Sequence, residues 1–245
     1  MRTTYAKELQ KRMDVMESKE VLQAGRWIGK AIQHGGIIHL FGCGHSHLLT
    51  LDVFYRAGGL VPISPILHEP LMLHEGAVRS SQLERKEGYA DTFLNEVDFQ
   101  EGDLCIVIST SGRNPVPIDV AMRAKEKGIP VIVITSKEYS LLQPSRHSSG
   151  KRLYEVGDLV IDNASVPGDA VLQHPKVPVP FTPTSTVIGA AILQAMFAEA
   201  IGWLADQGIE APIFLSGNIE GADDRNEALI ARYGARIPLL MRGLG

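Results

Sequence analysis

Cysteine is scarce in this chain, positive charge is not in excess, and long apolar runs are missing. The two cysteines, Cys43 and Cys105, both lie in strand-like apolar runs. That favours buried thiols in a reducing compartment over a disulfide. A net charge of −4 gives no sign of nucleic-acid or anionic-membrane binding, both of which call for clustered Lys and Arg. No apolar stretch approaches the roughly 18 residues of a membrane span. Residues 1–20 are charged and helical in pattern, without the apolar centre of a signal peptide. These absences set the expectation of a soluble, cytoplasmic protein with no membrane or nucleic-acid partner. The composition is that of an ordinary globular chain, 44% hydrophobic and 21% charged, able to bury a core without staples.

Periodicity divides the chain. Tyr5, Leu9, Met13, Met16, Ala24, Ile28 and Ile32 predict one long amphipathic helix over about 3–33. Gly35-Gly36 stops it. Apolar runs at 37–41, 60–63, 103–109, 130–135 and 158–162 read as strands, with helical patterns at 45–57, 79–95, 116–127, 138–142, 186–207 and 223–233. Continuous apolar strands alternating with helices predict a parallel sheet covered on both faces, an α/β sandwich. Segment 163–183 carries five prolines and reads as irregular, as an arm to a partner subunit or a cover for a ligand.

Three hydroxyl-rich turns each open a helix: Gly44-His45-Ser46, Ser109-Thr110-Ser111-Gly112 and Thr184-Ser185-Thr186. Free N–H groups and the positive end of a helix dipole make such a turn an anion site. One cluster alone is more often a cap; three in comparable places point to a bound phosphate. The first two follow strand ends, the edge where parallel sheets bind ligands. Other readings of the first turn fail. His47 stands where a dinucleotide fingerprint needs its third glycine, and Leu48 where a nucleophile elbow needs its last. Cys43, His45 and His47 match no standard metal spacing, so no metal or cofactor is expected. His68, Glu69, His74 and Glu75 follow the second strand, near the same edge, and a catalytic role is expected for at least one of them.

The order of these motifs resembles the SIS (sugar isomerase) domain, a phosphosugar-binding fold, over about residues 35–205. The resemblance implies a five-stranded parallel sheet in a flavodoxin-like sandwich, assembled as dimers or tetramers. It implies that Ser46, Ser109, Ser111 and the Thr184–Thr186 turn hold the phosphate of a sugar phosphate, and Gly44, Thr110 and Gly112 of the same turns are expected to bind it with them. The whole chain then reads as a single SIS domain, with an N-terminal helix (1–34), a core (35–207) and a C-terminal extension (208–245).

Within the family, Ser111-Gly112-Arg113-Asn114-Pro115 resembles the S-G-R-T-P turn of N-acetylmuramic acid 6-phosphate etherases, and Glu75-Gly76-Ala77 their E-G-A segment, whose glutamate is catalytic. Their second glutamate falls near Arg56. The zinc-binding His and Glu of phosphoheptose isomerases fall at Asp52 and Arg56, so that metal site is not carried over. The overall likeness is to stand-alone SIS proteins grouped with phosphoheptose isomerases. The expected activity is aldose–ketose isomerisation. Glu75 would remove the proton alpha to the carbonyl, and His68 or His74 would move a proton between oxygens. The alternatives are a non-catalytic phosphosugar sensor and an amino-sugar-phosphate lyase or etherase.

Overall fold

The computed structural model describes residues 1–242. Its frame is a five-stranded parallel sheet in the order β2-β1-β3-β4-β5. The strands are β1 (Ile38–Gly42), β2 (Ile63–Pro65), β3 (Leu104–Ile108), β4 (Val131–Thr135) and β5 (Leu159–Asp162). Strand alternation sorts side chains by size. Ile38, Leu40, Leu104, Ile106, Ile108, Ile132 and Ile134 face one layer. Phe41, Cys105, Val107, Val131 and Val133 face the other. The first face is covered by α2 (Lys19–Gln33), α3 (Ser46–Val53) and α8 (Ser185–Asp206). The second is covered by α5 (Asp91–Leu94) and α6 (Pro115–Glu126), with α4 (Ala77–Glu84) packed on α6. This is the expected α/β sandwich, and the strand order reverses between β1 and β3, the flavodoxin-like switch point.

Helices α2 and α8 make the closest contact because α2 offers glycine. A Cβ on Gly25 would lie 2.4 Å from Glu199 Cβ, and one on Gly29 would lie 2.5 Å from the Trp203 ring. Helix α8 corrects one expectation. It is long and apolar enough to cross a membrane by length and composition, yet it is a sheet-covering helix with part of its surface open.

Other elements differ locally from the sequence reading. The expected 3–33 helix is two, α1 (Arg2–Met13) and α2, separated by a 3-10 turn at 14–17. Ser18 ends the turn in an extended conformation and its hydroxyl caps α2 through Val21 N–H. The second strand is 63–65 rather than 60–63, because Leu60 bridges to Ile213 instead. The expected helix at 79–95 is interrupted between α4 and α5, and α3 stops at Val53. Within 163–183 lies an antiparallel hairpin, β6 (Leu172–His174) and β7 (Val177–Phe181), so that segment is not wholly irregular. Pairing runs through Leu172–Phe181 and His174–Val177, which leaves Pro178 and Pro180 free of any need to donate.

Two further helices are α7 (Lys137–Leu141) and α9 (Ala222–Tyr233). The C-terminal extension packs Phe214, Tyr233, Ile237 and Leu240 against Ile37 and Val61; its expected range, 208–245, runs outside the described residues after 242. Asp103, at the start of β3, fastens this extension. Its carboxylate accepts from Ile37 N, Gln100 N and the Arg236 guanidinium at 2.8 Å each and meets His39 Nε2 at 3.1 Å. Burial would raise its pKa, but His39 and the two N–H groups outweigh that and hold it below the usual carboxylate range.

Candidate anion site at the sheet switch point

Gly42 pairs with Ile108 in register, so the turns leaving β1 and β3 start one strand spacing apart, ~4.8 Å. They flank the switch point. In the second turn, Ser109 N donates to Ile134 O at 3.0 Å. The next five N–H groups, of Thr110, Ser111, Gly112, Arg113 and Asn114, donate to no other group among the described residues. The carbonyls are used: Thr110 O accepts from Ser136 N, Ser111 O from Ser140 Oγ, Gly112 O from Leu153 N and Arg113 O from Arg146 N. The turn is thus fixed from behind with its donors open.

Gly112 makes that possible. Its φ is +59, and a Cβ there would lie 2.7 Å from both Thr135 Oγ1 and Ser140 Oγ, which are fully buried. Ser109 is only 6% exposed. The hydroxyls of Ser46, Ser109 and Ser111 donate to no group among the described residues.

The S-G-R-N-P-V-P stretch explains a residue that sequence reasoning passed over. Asn114 is the N-cap of α6 but makes no side-chain cap. Pro115 and Pro117 occupy the first and third helical positions, so the usual N–H of the third residue does not exist. The freed amide instead donates to Glu84 Oε1 at 2.8 Å and accepts from Arg146 Nη1 at 2.8 Å. Burial raises the Glu84 pKa, with the Asn114 bond opposing. The prolines were visible in the sequence; Glu84 and Arg146 carried no local signal.

The first turn lies beneath residues 68–75. Gly44, at φ +54, donates to Leu71 O at 3.3 Å. His47 is buried and its Nδ1 pairs with Gly44 O. Its ring is 6.3 Å from that of His74, whose Nε2 is 3.7 Å from Glu75 Oε1. His74 therefore lies over the first turn with Glu75 beside it, and both are exposed to solvent. His68 does not join them. It stacks on Phe93 at 4.6 Å, bonds to Tyr89 OH at 2.9 Å, and burial lowers its pKa. Cys43 is buried, its thiol pushed well up by burial and by Glu84. Among the described residues no three His, Cys, Asp or Glu side chains are placed to hold a metal.

The third turn is differently arranged. Helices α3 and α8 run side by side, with Leu49 against Gly189 and Gln194 Nε2 3.3 Å from Asp52 Oδ2. One turn back, this sets the start of α8 level with Ser46. Four of its donors are taken by one carboxylate. Asp169 accepts from Thr184 N at 3.0 Å, Thr184 Oγ1 at 3.3 Å, Ser185 N at 3.1 Å and Ser185 Oγ at 2.5 Å. Thr186 keeps a hydroxyl without an intrachain partner. Asp169 was missed because it lies fifteen residues upstream, beyond the reach of any capping pattern.

The fold and these turns define a SIS-domain protein: the SIS domain matches residues 3–136, and the chain belongs to that family. Among its relatives, UPF0309 protein BH0227 of Halalkalibacterium halodurans is 64% identical over 98% of this chain and 97% of that protein. UPF0309 protein GK1441 of Geobacillus kaustophilus is 60% identical over 98% of this chain and 96% of that protein. Similar solved structures include phosphoheptose isomerase GmhA from Neisseria gonorrhoeae, at 14% identity and TM-score 0.49, covering 81% of this chain and 92% of that one. The sugar isomerase domain of the RpiR transcription factor from Sphaerobacter thermophilus has 13% identity and TM-score 0.48, covering 95% and 97%.

Proposed function

We propose that this SIS-domain protein binds a phosphorylated sugar at the switch point. One observation carries the reading: five successive N–H groups and the Ser109 and Ser111 hydroxyls are unpaired around one turn, beside the Ser46 hydroxyl. Backbone N–H groups left without partners cost stability unless water or a ligand takes them, and a phosphate is the anion that uses most of them at once. Stabilisation follows mass action. A thermal-shift comparison of sugar phosphates with the same sugars unphosphorylated should raise the melting temperature only for the phosphorylated member. Equal shifts for both, or none, would sink the reading.

For turnover, we propose aldose–ketose isomerisation with Glu75 as the base, supported by its position over the first turn. His74 is the neighbouring proton carrier. His68 is committed to aromatic packing and takes no part. Glu75→Gln should then abolish isomerisation while leaving phosphate affinity within about twofold, a difference under about 0.5 kcal/mol. The exposure of Glu75 and His74 also suits a second reading, a sensor that binds without turnover; it predicts binding by wild type with no product. Self-association fits the same site. Val187 on α8 and Leu48 and Leu51 on α3 are exposed apolar side chains, and a homodimer or homotetramer would cover them beside the first turn.

A further inference from the structure

We propose that Glu84 is a proton-linked positioning residue of the anion site, acting through Asn114, so that the site takes up a proton when it takes up an anion. The proposal rests on the reading of the second turn as a phosphate site. Glu84 ends α4, a helix packed against the 69–75 turns and α6. Glu75 precedes its start over the first turn, and Glu84 closes it at the second. Glu84 touches the site through one group. Asn114 presents its N–H to the open turn and its side chain to Glu84 and Arg146. An anion on the turn and an ionised Glu84 thus lie on two sides of one asparagine, with Cys43 of the first turn also beside Glu84. Two negative charges so placed repel, and the carboxyl relieves this by protonation.

The surroundings favour the carboxyl as the group that gives way. Burial already raises its pKa, so less is needed to neutralise it at working pH. The charged groups facing it are Arg85, which follows it at the end of α4, and Arg146 on the 142–152 loop. The Cys43 thiol stays neutral. Asp119 on α6 and Glu87 after α4 are engaged by His147 and Ser148 of the loop. On the turns before α4, Glu69, His74 and Glu75 lie at its opposite end. His45 and His47 at the first turn and His74 above it also lie on the anion's side, so the test must separate them from Glu84.

Sulfate serves as the probe, because its charge is constant across the working pH range. Its affinity is measured by calorimetry at constant ionic strength for the whole chain. Wild-type affinity should be highest in acid and fall by up to tenfold per pH unit as Glu84 ionises. Glu84→Gln keeps an acceptor for Asn114 but no titration. It should lose most of that slope and bind sulfate more tightly than wild type at neutral pH. Glu84→Asp, which keeps the acid, should restore the slope. A slope unchanged in Glu84→Gln would assign the proton to the histidines and overturn the proposal, as would a flat wild-type profile. A uniform loss of affinity in Glu84→Gln at every pH would reduce Glu84 to a structural prop. No sulfate binding at any pH would overturn the phosphate reading itself, and this proposal with it.

Discussion

The starts of α6 and α8 look alike in sequence and differ in what fills them. Each follows a cluster of hydroxyls, and each opens a helix on the ligand edge of the sheet. At α8 one carboxylate, Asp169, takes four donors. At α6 two prolines remove the cap, Asn114 turns away to Glu84, and five N–H groups stay open. A hydroxyl cluster is therefore not a binding site by its composition. It becomes one when the chain supplies no acid to close it.

The largest effect should come from Gly112→Ala. The new Cβ meets two buried hydroxyls in a left-handed backbone, so unfolding should ease by about 2–4 kcal/mol, with loss of sulfate binding. Denaturant titration and calorimetry would check both. Asp169→Ala comes next, costing about 1–2 kcal/mol as a lost cap, with sulfate affinity at the α6 turn unchanged. A gain in affinity would mean that the α8 start is a ligand position held shut by Asp169, and would erase the contrast. Ser109→Ala should weaken sulfate about tenfold, one hydrogen bond to a charged ligand, with little change in melting temperature. Thr186→Ala should leave the melting temperature unchanged, since its hydroxyl bonds to no group among the described residues.

What could be read in the sequence follows from how local the physics is. Apolar runs such as 104–108 ahead of Ser109-x-Ser-Gly located the strands and the turns at their carboxyl ends, because strand, turn and helix start are neighbours in the chain. The break before Ser18 escaped because the apolar spacing carries on across the short turn at 14–17, after which the Ser18 hydroxyl caps a second helix. The hairpin at 172–181 escaped because Pro178 and Pro180 argue against a strand unless the pairing spares them. Glu84, Arg146 and Asp169 escaped for a different reason. Each acts across a span of chain that no periodicity covers, and each became visible only as a bond to a turn already suspected.

The pairing of Gly42 with Ile108 has a temporal consequence. The strands that carry the two turns are adjacent in space but separated in sequence by α3, β2, α4 and α5. That loop must close before the turns meet, and such non-local closure is slow. During synthesis the first turn waits, incomplete, until β3 and its turn have been made. A ligand that needs both turns recognises only a chain whose central strands have already docked, so the bound anion would act as a late lock on folding and a report that the sheet is complete.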